Sequence, residues 1–486
     1  MKLRKIAAEG VKWTTIASVL DQILHIVFRI VLARLLFPEH YGLVASATVV
    51  IEAINVFTHL GISYFIVHQQ ERIETTCHTV FILLVGITVA GYLSAFLTAP
   101  WMADFFQDPA VELIIQVLAL NLFLKVPGVV PHALVQKRFH FKQILFGKLA
   151  ATITQGGIAI ILALLLPRES GVWALVGGGL VSTAIQSLAY WYMSGYHLSL
   201  EFDFDLAKKC FHYGKYFLGM SILMYLYNSL DKIAIGRIMG IEALGYYSFA
   251  YTFSGRFLLL TEGMFAAVAF PIYAKLQDDT PRLRETYLRT LSYSALVSTP
   301  VGIGAALIGT EVILTLFGEK WIPAIIPFQI LSLFVAVRAI DTTTGDLYAG
   351  IGHPKYCQNL AVVNVAGVAL SIYPLAFYWG AAGAAISILL ARLITMGVNG
   401  WICAIVLQCK MLDIVKALLP AITGVLIMGA VLLGVKYLFH LPASGVPVLL
   451  GLFLLGAVTY ILGIYFTNYE LFQEVISLIH TGIKGD

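Results

Sequence analysis

Long apolar runs, rather than short alternating stretches, dominate this chain. Windows of about 20 mostly apolar residues match a helix that crosses a bilayer. Fourteen such windows occur, near 13–36, 41–66, 77–99, 110–134, 143–166, 171–195, 212–237, 244–270, 286–310, 322–348, 357–379, 381–406, 416–439 and 445–468. The pattern predicts an all-α polytopic membrane protein with about 14 transmembrane helices. Pro127, Pro131, Pro300 and Pro374 fall inside windows, where membrane helices tolerate proline and tend to bend. The connections are short, the longest near 196–211, so no sizeable extramembrane domain is expected.

Polar residues interrupt the windows in register. In "SVLDQILHIVFRIVLARLLFPEHYG" (18–42), Asp21, His25 and Arg29 lie four apart and so share one helix face. Glu52, Asn55 and His59 share a face of the second window, and Asn228 and Lys232, with Asp231 adjacent, repeat the pattern in the seventh. Thr252, Arg256 and Glu262 lie in the eighth window, Arg338, Asp341 and Asp346 in the tenth, Lys125 in the fourth and Arg392 in the twelfth. A charge at the centre of a membrane helix costs about 2.5–3.5 kcal/mol on insertion scales, so such groups face a cavity or a partner. Two readings stay open. In the first, Arg29, Lys232, Arg256 and Arg338, with His25 and Asn228, line a water-filled cavity between two bundles and bind an anionic substrate group. The planar guanidinium fork suits phosphate oxygens. In the second, the charges neutralise one another: Asp21 with Arg29, and Arg338 with Asp341 one turn along. Lys125 and Arg392 fit snorkelling or pairing, and Arg34 and Arg237, near helix ends, fit interfacial anchoring.

A shift of 203 residues aligns the two halves around the first window. Lys12 meets Lys215, His25 meets Asn228, Arg29 meets Lys232, Arg34 meets Arg237, Glu39 meets Glu242, Gly42 meets Gly245 and Ala47 meets Ala250. Six windows separate the two starts, which makes the repeat parallel, with a pseudo-two-fold axis along the membrane normal. The predicted organisation is an N-terminal six-helix bundle over 1–200, a second over 201–410, and two further helices with a tail over 411–486. Transporters built from such repeats place substrate near the bilayer midplane, at the repeat interface. Asp21 has Met224 as its counterpart, so Arg29, with a basic counterpart at mid-span, is the stronger binding candidate.

The basic residues orient the chain. With the N-terminus in the cytoplasm, 20 Lys and Arg fall on the cytoplasmic side, 5 on the other, and the remaining 6 of 31 within windows. The positive-inside rule then puts both termini in the cytoplasm. "VQKRFHFKQILFGK" supplies four of the 20 beside two phenylalanines; topology-setting charge accounts for it, and contact with anionic headgroups is the alternative.

Composition agrees and narrows the chemistry. Hydrophobic residues make up 59% and charged residues 12%, about half of the charged share usual in soluble domains. A formal net charge of +4 gives no reason to expect nucleic acid. The basic N-terminus is not followed by a short apolar segment with a cleavage site, so the first helix is expected to be retained. Cys77, Cys210, Cys357, Cys403 and Cys409 form no CxxC or Cys/His cluster, which indicates neither zinc nor a disulfide framework. No P-loop, GxSxG, HExxH or EF-hand motif occurs, so neither an enzyme nor a bound metal or cofactor is expected. "LVGGGL" (175–180) lies in a window, where small residues permit close helix packing.

The segments "PEHYGLVASATVV", "RFHFK", "GVWALVGGGL", "LDKIAIGRIMGIEALGYYSFAY", "FPIYAKLQDD" and "GEKWIPAIIPFQILSL" resemble the bacterial polysaccharide transporter family. These are the Wzx/WzxC-like oligosaccharide flippases of the multidrug/oligosaccharidyl-lipid/polysaccharide (MOP) exporter superfamily, and the resemblance covers nearly the whole chain. It implies two six-helix bundles in a V, here with two added C-terminal helices, and a cavity lined by the first, second, seventh and eighth spans. It implies movement of undecaprenyl-pyrophosphate-linked oligosaccharide across the inner membrane by alternating access, for lipopolysaccharide or exopolysaccharide biosynthesis. Arg29, Lys232 and Arg256 are the positions that match cavity cations. Membrane lipids and polysaccharide-assembly proteins are the implied partners. Without an ATP site, an ion gradient would drive transport, with Asp21, Glu52 and Asp341 as candidate proton or Na⁺ sites. The alternatives are a cation-coupled multidrug antiporter of the same superfamily and a membrane polysaccharide polymerase or ligase. The first would favour acidic and aromatic cavity groups, and the second a large periplasmic loop.

Overall fold

The computed structural model describes residues 2–59, 65–66, 72–138, 141–474 and 477, and among them the backbone forms helices and turns but no strand. The chain divides into two compact units, Met1–Ser248 and Phe249–Asp486.

The first unit holds α1 (Lys2–Leu35), α2 (Pro38–His59), α3 (Ile73–Phe106), α4 (Ala110–Leu118), α5 (Leu120–Lys137), α6 (Phe141–Leu165), α7 (Val172–Ser194) and the first arm of α8 (Phe204–Lys275). Proline at the first position of α2, followed by Glu39 in its first turn, suits a helix start, where an N–H is unpaired and negative charge is favoured. The core joins α2, α3, α4, α5 and α7 through Leu43, Ala47, Ala99, Phe106, Ile114, Leu122 and Val176. Gly178 of the "LVGGGL" run sits against the Gln155 carbonyl and Ala159 of α6, where a Cβ would approach to 2.7 and 2.9 Å. The small residue therefore sets close α6–α7 packing, as its place in an apolar window predicts.

The second unit contains the remainder of α8, then α9 (Thr280–Leu307), α10 (Gly309–Leu316), α11 (Ile325–Gly350), α12 (Lys355–Val406), α13 (Met411–Phe439) and α14 (Val446–Thr467). "GEKWIPAIIPFQILSL" supplies part of its centre. Trp321 is fully buried and stacks on Phe249 with ring centroids 3.9 Å apart. Phe317 meets Phe249 edge-on at 4.8 Å, a geometry favoured by the ring quadrupoles. The two C-terminal helices are fastened to this unit. Lys436 of α13 reaches buried Glu311 at 2.7 Å, and the Tyr460 hydroxyl of α14 donates to the Leu296 carbonyl at 2.8 Å.

Two helices continue through sharp bends. In α12 the backbone departs from helical geometry at Gly380, between the windows 357–379 and 381–406. In α8 it does so at Gly240, with φ 85° and ψ 178°, a conformation open to glycine and strained for other residues. Gly240 is the counterpart, 203 residues on, of Phe37, which separates α1 from α2. The same position thus breaks the path in both halves, once at a proline start and once at a glycine.

Each of the fourteen windows falls on helix, apart from the end of the second, 60–66, where only 65–66 are described. Ten helical segments among the described residues are long and apolar enough to cross a membrane. Leu426, Leu433, Phe453, Leu454 and Phe466 of α13 and α14 are each more than half exposed. Contiguous apolar surface of this kind has no counterpart on soluble monomers, and the protein is a multi-pass membrane protein.

Candidate functional site

In the first unit, Asp21 is buried, 3% exposed. Its carboxylate accepts from the Thr152 hydroxyl at 2.5 Å and lies 3.1 Å from Lys148 Nζ and 3.5 Å from His25 Nε2. Lys148 and Thr152 are one turn apart on α6, so they approach Asp21 side by side. The expectation that Arg29 neutralises Asp21 is corrected: two turns separate those residues, whereas α6 packs directly alongside. Lys148, read from sequence as a loop charge, lies inside α6.

On α2 and α8, Glu52 is exposed and accepts from the Ser229 hydroxyl at 3.3 Å. Lys232 Nζ donates to the Asn228 carbonyl at 2.9 Å, and the Asn228 amide donates to the Met224 carbonyl at 2.8 Å. Both side chains therefore lie along their own helix and remain half-buried, as does Arg29. Asp231, adjacent in sequence, points the other way: it is 2% exposed and accepts from the Tyr247 hydroxyl at 2.7 Å. Lys125 is half-buried on α5 beside a small cavity with Asn55 and Thr58. The side chain of His59 lies outside the described residues.

In the second unit, Asp341 of α11 meets Arg392 of α12 at 2.7 Å and also accepts from the Asn399 amide. The Asn399 side-chain Oδ1 accepts from the Tyr348 hydroxyl at 2.7 Å, and Tyr287 of α9 meets Thr344 at 3.0 Å. This buried network ties three helices together. Arg392 pairs, as one of its two sequence readings has it, but Asp341 is paired across helices with Arg392 rather than with Arg338 one turn back. Arg256 and Arg338 are half-buried on α8 and α11. Sequence reasoning missed Thr152, Asn399 and Tyr348, polar residues of ordinary type whose roles come from the helix they face. The i, i+4 spacing of Lys148 and Thr152 was the one available signal.

At one end of the first unit the connections hold one another. Arg72 meets Asp203 at 2.8 Å, Lys137 donates to the Ile66 carbonyl at 3.3 Å, and Arg138 to the Ser194 carbonyl at 2.8 Å. Asp203 also caps α8, accepting from the Leu206 and Asp205 amides. Those backbone donors, then Arg72, hold its carboxyl below the usual carboxylate range. At the opposite end Arg237 donates to the Phe105 carbonyl at 3.3 Å and lies 5.6 Å over the Phe105 ring, an anchoring role. The connections thus fall into two groups that alternate along the chain, as successive crossings require. No group of three metal-ligating side chains occurs among the described residues.

The fold is shared with solved membrane transporters. A structure of the lipid II flippase MurJ in an inward closed conformation superimposes with a TM-score of 0.75 at 14% identity, covering 94% of this chain and 99% of MurJ. An inward-facing multidrug resistance MATE family transporter of the MOP superfamily gives a TM-score of 0.62 at 18% identity, over 80% of this chain and 94% of its own. The model of the polysaccharide biosynthesis protein family matches residues 31–326, and the chain belongs to that family. The lipopolysaccharide biosynthesis protein WzxC of Escherichia coli K12 is 26% identical over 349 residues, 71% of this chain and 70% of WzxC. The succinoglycan biosynthesis transport protein ExoT of Rhizobium meliloti is 24% identical over 350 residues, 72% of this chain and 70% of ExoT.

Proposed function

We propose that the chain is a flippase that carries undecaprenyl-pyrophosphate-linked oligosaccharide across the inner membrane for polysaccharide biosynthesis, and not an enzyme. The observation that carries the reading is the pair Arg29 and Lys232, half-buried cations at equivalent positions of two repeated membrane helices. The family match, the flippase fold of MurJ and the transport role in the name of ExoT support it. Arg29, Lys232, His25 and Asn228, with Arg256 and Arg338, are the residues we assign to the pyrophosphate and adjoining sugar. The lipid tail stays in the bilayer while the two repeats, 1–200 and 201–410, alternate access; 411–486 adds the last two of fourteen crossings and a tail. Both termini are cytoplasmic in this reading.

A membrane-potential or ion gradient drives the cycle. Among the candidate coupling carboxylates, Asp21 and Asp341 each already hold a protein cation. Glu52 has the Ser229 hydroxyl and no ion pair among the described residues, which makes it the proposed proton or Na⁺ site. Deleting the protein and analysing lipid-linked intermediates tests the reading. One oligosaccharide accumulating on the cytoplasmic leaflet supports it, and unchanged surface polysaccharide with no accumulated intermediate rejects it.

A further inference from the structure

A cavity of about 710 Å³ in the second unit opens where α9 and α13 begin and where the chain returns after α14. Its wall combines four cations, Arg282, Arg284, Arg289 and Lys416, with apolar and aromatic surface such as Leu288, Tyr293 and Leu471. The carboxylates in its wall, Glu285 and Asp413, and those at its edge, Asp279 and Glu474, have protein partners. Asp279 caps α9 and meets Arg282 at 3.4 Å. Glu285 and Glu474 both hold Arg289, at 3.0 and 2.8 Å, and Asp413 accepts from the Lys410 amide at the start of α13. Arg284 and Lys416 are exposed and have no hydrogen bond or ion pair among the described residues. Beside Lys416, Leu412, Val415 and Leu419 are 57%, 40% and 45% exposed, a surface suited to lipid. The two uncommitted cations therefore sit at the boundary between acyl chains and water.

We propose that this cavity is a binding site for the phosphate-bearing headgroup of an anionic membrane lipid, held by Arg284 and Lys416. Arg284 offers a guanidinium fork and Lys416 a point charge. Tyr293 and Leu471 pack against the glycerol and the first acyl carbons. The positive ends of α9 and α13 add to the attraction. None of the residues assigned to the transported lipid lines this cavity, and its occupant is a resident lipid rather than the cargo.

Native mass spectrometry of the full chain in detergent, with phosphatidylglycerol, phosphatidylcholine or inorganic phosphate added, reads this out. The wild type retains phosphatidylglycerol in preference to phosphatidylcholine, and millimolar inorganic phosphate does not displace it. The double variant Arg284→Ala/Lys416→Ala loses the preference by about thirtyfold, since each interfacial cation contributes about a five- to sixfold factor. The exchange Arg284→Lys/Lys416→Arg, which keeps both charges, preserves most of it and separates a binding defect from a folding defect. Equal retention of the two lipids by the wild type, or an undiminished preference in the double alanine variant, overturns the proposal. Displacement by inorganic phosphate alone also overturns it and marks a free-anion site. Export of polysaccharide is scored separately, so loss of this site leaves the flippase reading standing.

Discussion

Gly42 and Gly245 meet backbone to backbone and each stands against its partner's helix start. A Cβ on Gly42 would collide with the carbonyl oxygen of Ile241, and one on Gly245 with that of Pro38. Residues 38 and 241, like 42 and 245, are separated by 203, so the contact maps onto itself when the halves are exchanged.

Side chains cannot enter that contact without parting the helices. Gly42→Leu and Gly245→Leu are expected to lower stability by about 1–3 kcal/mol, the usual cost of overpacking, and to reduce export more than Gly86→Leu, a site with open space. Thermal unfolding in detergent and surface polysaccharide measure the two effects. Equal tolerance at 42 and 86 contradicts the contact.

Removing Lys148 strands a buried carboxylate. Lys148→Met should cost more stability than the double variant Lys148→Met/Asp21→Asn, which removes the charge as well. Lys148 is 45% exposed in its side chain, so the difference falls well below that of a fully buried pair. If the double variant is the less stable, the pairing is not the role of Lys148.

The Asp341–Arg392 pair is more enclosed, with side chains 9% and 12% exposed. Arg392→Leu should destabilise by about 3–5 kcal/mol, the range for breaking a buried pair from one side. Asp341→Leu added to it should recover part of the loss. A cycle showing simple additivity would sink this coupling.

The depressed carboxyl of Asp203 sets an acid limit on one connection. Because its folded value lies below the ordinary one of about 3.9, its contribution is complete above that value and disappears as pH falls through the lower one. Hydrogen exchange at the Leu206 and Asp205 amides should therefore stay protected from pH 7 to about pH 4 beyond the intrinsic rate change, and accelerate below it. Asp203→Asn should abolish the acid dependence.

Most of the helical architecture was legible because apolar windows of bilayer length carry a strong, local signal. Gly42 and Gly245, which meet in the structure, already stood opposite one another at the constant offset of 203. Partners were not legible. Asp21 advertises a charge but not that α6 will bring Lys148 beside it, and Asp341 gives no hint of Arg392, 51 residues on. Pairing within one helix follows from spacing, whereas pairing between helices depends on which faces pack. The bend at Gly240 was likewise hidden, since a glycine in an apolar run reads equally well as packing.

In the proposed function the chain moves a lipid-linked oligosaccharide, and Arg29 and Lys232 take part. Reconstituting the purified chain in proteoliposomes with undecaprenyl-pyrophosphate-linked oligosaccharide, and following its access to an impermeant glycosidase outside, measures this directly. Lipid from the inner leaflet is expected to become accessible with the wild type, and much more slowly with Arg29→Ala/Lys232→Ala at equal protein. An inner-leaflet pool that stays protected with the wild type, or a double variant as fast as the wild type, would contradict it.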